Sequence, residues 1–224
     1  MADPTPRPGV IFDVDGTLLD TPYLHAVAWA RAFREGGHEV PMAAIHRAVG
    51  IASKELVEFL LGSADEAVVE GHSKQYETFR DDVRALPGAA DLIRRCREHG
   101  LATVLATSGS RDDLEWMLPA IGVEEDELDG IITSSDVEES KPSADPFASA
   151  MEANGLDPER SVAVGDTIWD VEAARRAGIT CIAVTCGGID RRTLLDAGAA
   201  EVHDDPRAIV GTWEQGLLSK IPVD

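Results

Sequence analysis

Apolar residues along this chain gather in short unbroken runs, separated by longer stretches in which they recur every three or four positions. The runs occupy residues 10–14, 101–107, 130–133, 161–165 and 180–185. Runs of this length suit strands of a parallel sheet covered on both faces. Between the later ones lie SRDDLEWMLPAIG, SADPFASAMEANG and DVEAARRAG, each with a helical period and a closing Gly, where a helix C-cap is expected. Strand and helix alternating in this way predict an α/β fold built on a doubly wound parallel sheet. No internal repeat interrupts it.

Residues 21–85 break the rhythm. YLHAVAWARAFREGG, MAAIHRAVG, SKELVEFLLG and ADEAVVEGHSKQYETFRDDV all read as helices, so the chain divides into an α/β core of residues 1–20 and 86–224 and a small α-helical cap of residues 21–85. Ligands of open α/β sheets bind beyond the carboxyl ends of the strands. A cap entering after the first strand therefore sits over that crevice. Trp29, Phe33, Leu56, Phe59 and Leu60 recur at helical spacing and are expected to form the cap's own core.

Composition narrows the partners. The chain has 224 residues, 44% hydrophobic and 27% charged, enough for one large domain or a main domain with an insertion. A formal net charge of −21 opposes binding to nucleic acid or to an anionic membrane surface. It leaves a small anion possible, since salt screens the field beyond about 8 Å. High-salt adaptation and plain solubility explain the acidity equally well. No run of roughly 18 apolar residues exists and MADPTPRPG lacks the features of a signal peptide, so a cytoplasmic protein is expected. Cys96, Cys181 and Cys186 have no metal-ligand spacing and read as reduced, mostly buried small hydrophobes.

Four polar signals punctuate the strand ends. The first run leads into Asp13 and Asp15, two positions apart, then Gly16 and Thr17; side chains two apart on a strand point the same way, so both carboxylates face one site. Concentrating them requires a cation, a proton or hydrogen bonds. Another run ends at Gly165 and Asp166, with Asp170 four residues on at the start of a helix. These acids serve either as helix caps or as oxygen donors for a hard divalent cation, Mg²⁺ before Zn²⁺, because no Cys/His set accompanies them. A third strand ends in Thr107, Ser108 and Gly109, with Ser110 or Arg111 opening a helix whose N-terminus suits an anion. Finally, Lys141 stands in a loop, where lysine is usually solvated; at the same sheet edge it would hold Asp13 and a phosphoryl oxygen as a compact charge.

In this fixed order the signals resemble the four motifs of the haloacid dehalogenase superfamily: DVDGT at 13–17, Thr107, Lys141 and GDTIWD at 165–170. The resemblance covers nearly the whole chain. It implies that Asp13 is the nucleophile of an aspartyl-phosphate mechanism and that Asp15 protonates the leaving oxygen and then activates water. Thr107, with Ser108 nearby, would bind the phosphoryl group, and Lys141 would neutralise charge on it and on Asp13. Asp166, Asp13 and the backbone carbonyl of Asp15 would hold Mg²⁺, supported by Asp170 directly or through water. Asp15 also argues for phosphate esters over carbon–halogen bonds, which have no leaving oxygen to protonate. One departure is the loop KPSADPF, where relatives commonly carry a second proline before the aspartate.

The helical insertion looks like the cap of phosphoglycolate phosphatases and β-phosphoglucomutases, in which a histidine (here His25) and a tryptophan four residues later (Trp29) recur. His25 is either a cap residue facing the site or a core-edge histidine. Arg47 and Lys54 would supply charge for a second anionic group, although solvated helix charges are the plainer reading. Such a lid excludes water during transfer, with hinges near residues 19–21 and 85–88. The resulting expectation is a Mg²⁺-dependent phosphatase of a small phosphorylated metabolite, monomeric or homodimeric. A phosphosugar mutase and a catalytically idle phosphate sensor are the alternatives.

Overall fold

The computed structural model describes residues 6–137 and 141–223; Glu138 and Glu139, the acids preceding Lys141, lie outside them. Strands β1 (Arg7–Phe12), β2 (Ala102–Ala106), β3 (Gly130–Ile132), β4 (Leu156–Gly165), β5 (Thr180–Val184) and β6 (Glu201–His203) form one sheet in the order β3-β2-β1-β4-β5-β6. All neighbouring pairs are parallel. β1 is central because its residues are apolar on both sides. Val10 and Phe12 pack with Leu92, Met117 and Ile209, which belong to α5 (Ala89–Glu98), α6 (Leu114–Ile121) and α10 (Pro206–Gly211). Ile11 faces the opposite way, among Phe147, Val171 and Leu194 of α7 (Asp145–Asn154), α8 (Ile168–Arg176) and α9 (Arg191–Ala197). This is the doubly wound arrangement expected from the alternation of periods.

Boundaries differ from the sequence expectation in physically sensible ways. β1 begins at Arg7 and ends at Phe12, not at 10–14, because the chain turns at Asp13; the Asp13 amide still donates to Val164 O at 2.9 Å. β4 starts five residues earlier than its apolar run, because Leu156 already pairs with Arg7; the register then shifts across the polar residues 157–160 before Ser161 pairs with Gly9. The segment after Ser110 opens as a 3₁₀ turn, Arg111–Asp113, before α6. The three-residue β6 is too short to show a pattern, and α5, α9 and α10 add to the helices that the sequence pattern predicts.

The insertion holds α1 (Pro22–Glu35), α2 (Met42–Ala48), α3 (Ser53–Leu61) and α4 (Glu66–Glu77). Trp29, Phe33, Ile45, Leu56, Val57 and Val68 form a separate apolar cluster. Phe59 does not join it: its side chain is 61% exposed. On the short α3, Leu56 and Val57 are the residues turned inward, and Phe59 meets Trp169 of α8 edge-on at 5.7 Å. Leu60 is half-buried against the cluster. The insertion also touches the α/β layer where Trp169 Nε1 donates to Arg47 O at 3.0 Å and His46 Nε2 bonds Gly187 O at 3.0 Å. The two chain crossings lie side by side, with Leu19 and Ala85 in an antiparallel bridge and Leu86 N donating to Leu18 O at 2.8 Å. Among the described residues no helix is long and apolar enough to cross a membrane.

Candidate active site

At the carboxyl edge of the sheet, adjacent strand ends deliver Asp13 after β1 and Asp166 after β4, and α8 contributes Asp170; all three are buried and their carboxylate oxygens approach within 4.8 Å. Lys141, only 3% exposed, enters between them. Its Nζ donates to Asp13 Oδ1 at 2.5 Å and lies 2.8 Å from Asp170 Oδ1. Burial alone would lower the lysine's pKa, but the two carboxylates outweigh it and hold the ammonium well above its usual value. Lys141 is therefore not the solvated loop lysine that its sequence position suggests.

Asp170 combines both readings left open for it. Its Oδ2 accepts from Thr167 N at 3.0 Å and Thr167 Oγ1 at 2.6 Å, while Thr167 Oγ1 accepts from Asp170 N at 3.2 Å. That capping box satisfies donors at the start of α8 and aims Oδ1 at the lysine. Asp166 Oδ1 accepts from Thr17 Oγ1 at 3.2 Å. Its other oxygen sits between Gly16 and Gly187, where added Cβ atoms would come within 2.3 Å and 1.7 Å. Gly16 also has a φ of +88°, which favours glycine.

Asp15 occupies a second polar pocket beside the first. Thr21 Oγ1 donates to its Oδ1 at 2.6 Å, and His25 Nε2 lies 3.2 Å from the same oxygen. Burial pushes the Asp15 pKa up, yet His25 and the Thr21 hydroxyl more than offset it, and the carboxyl is held below its usual value. His25 thus faces the site. Its Nδ1 meets His72 Nε2 at 3.2 Å. His72, Thr21 and Tyr76 belong to this pocket although the sequence motifs do not point to them. The available signal was a pair of i, i+4 spacings, His25 to Trp29 and His72 to Tyr76, which put each pair on one helix face.

Two cavities open here. One of about 460 Å³ lies under the helical insertion and is lined by Asp15, His25, Trp29, His72, Tyr76 and Ser108 among others. The other, about 270 Å³, is lined by Thr107, Ser108 and Lys141 from the sheet edge and by Lys54 from α3. Thr107 Oγ1 accepts from Gly109 N at 3.0 Å, a turn that fixes the Ser108 backbone. Arg47 lines neither cavity and its side chain is exposed.

The donor set fits a hard cation. Asp13 Oδ2 is buried with no hydrogen-bond partner, a costly state for a carboxylate oxygen, and no sulfur or imidazole belongs to the cluster. Burial and the surrounding carboxylates push Asp13 up to about 7 and Asp166 well above the usual carboxyl value. Both shifts mean that the metal-free native state holds protons which the unfolded chain has released. The stability they contribute is full below about pH 4, and the share of Asp13 is lost as pH rises through about 7. Surface carboxylates with depressed pKa values, such as Glu127 at about 2, act in the opposite sense only at lower pH. Metal-free protein is therefore expected to melt at a lower temperature at pH 8 than at pH 5, with Asp13→Asn reducing the difference. Thermal denaturation in chelator checks this, and a wild-type melting temperature that is flat or rising across the interval contradicts it.

A family model described as haloacid dehalogenase-like hydrolase matches residues 10–184. The validoxylamine A 7'-phosphate phosphatase of Streptomyces hygroscopicus subsp. limoneus is 30% identical over 182 residues, which are 78% of this chain and 84% of its own. The phosphoglycolate phosphatase of Nitrosospira multiformis is 29% identical over 206 residues, 86% of this chain and 89% of its own. Among solved structures, a hydrolase from Pseudomonas syringae is similar with a TM-score of 0.87 at 32% identity, covering 93% of this chain and 99% of that one.

Proposed function

The chain belongs to the haloacid dehalogenase-like hydrolases, in the group with a small helical insertion, and from that premise we propose a Mg²⁺-dependent phosphatase of a small phosphorylated metabolite working through an aspartyl-phosphate. The observation that carries the reading is the buried cluster in which Lys141 Nζ joins Asp13 and Asp170 beside Asp166. Relatives named as phosphatases of a cyclitol phosphate and of phosphoglycolate support the reaction class. Residues 21–85 would act as the cap, with residues 1–20 and 86–224 as the catalytic core.

In this mechanism Asp15, a carboxylate in the resting protein, takes up a proton from water as the substrate enters; an Asp13 oxygen then bonds to phosphorus as the ester P–O bond breaks, and Asp15 passes that proton to the departing oxygen. Asp15, now a carboxylate, takes a proton from water as that water attacks phosphorus, releasing phosphate and restoring Asp13. Dividing the displacement in two replaces one difficult step by two easier ones. Lys141 offsets charge on the equatorial oxygens, and Thr107 and Ser108 hold the phosphoryl group. Asp13, Asp166 and the Asp15 carbonyl would hold Mg²⁺, with Asp170 supporting through Lys141 and α8; the cation supplies further neutralisation of phosphoryl charge. His25 and Lys54 remain candidates for contacts with the rest of the substrate.

The test is phosphate release from a panel of phosphorylated metabolites, with and without Mg²⁺, with Asp13→Asn as blank. Release confined to wild type with the metal is expected. Release of equal rate in chelator would overturn the metal assignment. No release from any ester, together with interconversion of hexose phosphates when a bisphosphate is supplied, would replace the phosphatase by a mutase.

A further inference from the structure

His72 has no part in the mechanism above, yet it is buried in the wall of the larger cavity and its ring is held on two sides. One face stacks on Trp29 with centroids 3.8 Å apart and planes within 11°. Its Nε2 meets His25 Nδ1 at 3.2 Å, and His25 is itself stacked on Tyr76 at 3.8 Å and 15°. Trp29 and His25 come from α1, His72 and Tyr76 from α4. Two i, i+4 pairs on facing helices thus fix both imidazole planes and leave only the in-plane orientation of His25 to be set.

That orientation matters because Asp15, as a carboxylate, can only accept. His25 therefore carries its proton on Nε2 when it meets Asp15 Oδ1 at 3.2 Å. A neutral His25 then has a lone pair at Nδ1, and the partner there must donate; a protonated His25 needs an acceptor. An imidazole serves either need by changing tautomer, and burial together with the neighbouring His25 holds His72 neutral. Were the His25 ring to flip, carbon would face both partners. Thr21 Oγ1 also donates to Asp15 Oδ1. Both contacts therefore fall on one oxygen of Asp15, a residue that lines the cavity, and neither engages Oδ2.

We infer that His72 is a positioning residue for the phosphatase reaction: it locks His25 in the orientation that ties down Asp15 Oδ1, so that Oδ2 is the oxygen that exchanges the proton with the leaving group and with water. This rests on the acid/base reading of Asp15 given above. The neutral chain runs His72 Nε2–H to His25 Nδ1 and His25 Nε2–H to Asp15.

The experiment compares His72→Leu and His72→Gln with wild type by steady-state kinetics and by ¹⁵N-detected NMR of the His25 ring in metal-free protein. Leucine keeps an apolar body against Trp29 and loses the polar contact, so kcat is expected to fall about ten- to a hundredfold with KM changed less than about threefold. Glutamine, both donor and acceptor, recovers most of the loss. The His25 signals show one Nε2-protonated state in wild type and a mixture in His72→Leu. A wild-type kcat in His72→Leu, an effect confined to KM, or His25 signals unchanged by the substitution would each overturn the proposal. If wild type releases no phosphate from any ester, the phosphatase reading is what falls, and the His25 signals still decide whether His72 holds the ring.

Discussion

Asp13→Asn is expected to lower kcat on the order of 10⁴-fold or more while leaving the fold intact. Removing the nucleophile of a covalent mechanism removes the bond-forming step that the assisting groups act on. Asparagine matches aspartate in shape, and its Oδ1 can still accept from Lys141 Nζ, as Asp13 Oδ1 does. What changes is charge: Nδ2 takes the position of the buried, unpartnered Oδ2, and one of three crowded carboxylates is gone. The metal-free variant should therefore melt no lower than wild type at pH 8, where the native carboxyl at about 7 weighs against the wild-type fold. Activity and stability move apart, which separates a lost nucleophile from a misfolded chain. Turnover within tenfold of wild type would remove Asp13 from the nucleophile's role.

Much of this site is legible in the sequence because parallel strands bring their carboxyl ends to one edge. Once 10–14, 101–107 and 161–165 are read as strands, Asp13, Thr107 and Asp166 converge without any knowledge of loop paths. Lys141 was harder, since nothing local distinguishes a buried loop lysine; only the carboxylates that surround it explain its burial. Asp170 showed why cap and functional site need not be alternatives, as its two oxygens serve one each. The helical insertion was less readable. Periodicity tells which residues share a helix face but not which face meets which neighbour. Helical spacing therefore groups Phe59 with a core it faces away from and picks out His25 without its partner His72. Both depend on how α3 and α4 dock, a tertiary matter that helical spacing leaves open.

Lys141→Met is expected to lower kcat by about 10²- to 10³-fold, the usual cost of losing a preorganised charge that faces a developing anion, and to destabilise the metal-free protein. Removing one partner of a buried pair strands the other, at about 3–5 kcal/mol when the stranded charge cannot adjust. Here it can adjust by taking protons, so the cost depends on pH. The lysine's pKa is raised in the native state, so its contribution is fully present below its unfolded value, near 10, and is lost only above that. At pH 8 the variant therefore forfeits all of it, with the Asp13 carboxylate left charged. At pH 5 Asp13, whose carboxyl is pushed up to about 7, holds its proton in both proteins and the loss is smaller. Melting temperatures of variant and wild type in chelator should diverge more at pH 8 than at pH 5. Arginine is no substitute, because its planar fork does not fit a position built around a compact ammonium. Equal divergence at both pH values would mean that the methionine acts through packing against Phe147, whose ring lies 5.4 Å from Lys141 Nζ, and not through the charge that Lys141 brings to the carboxylates.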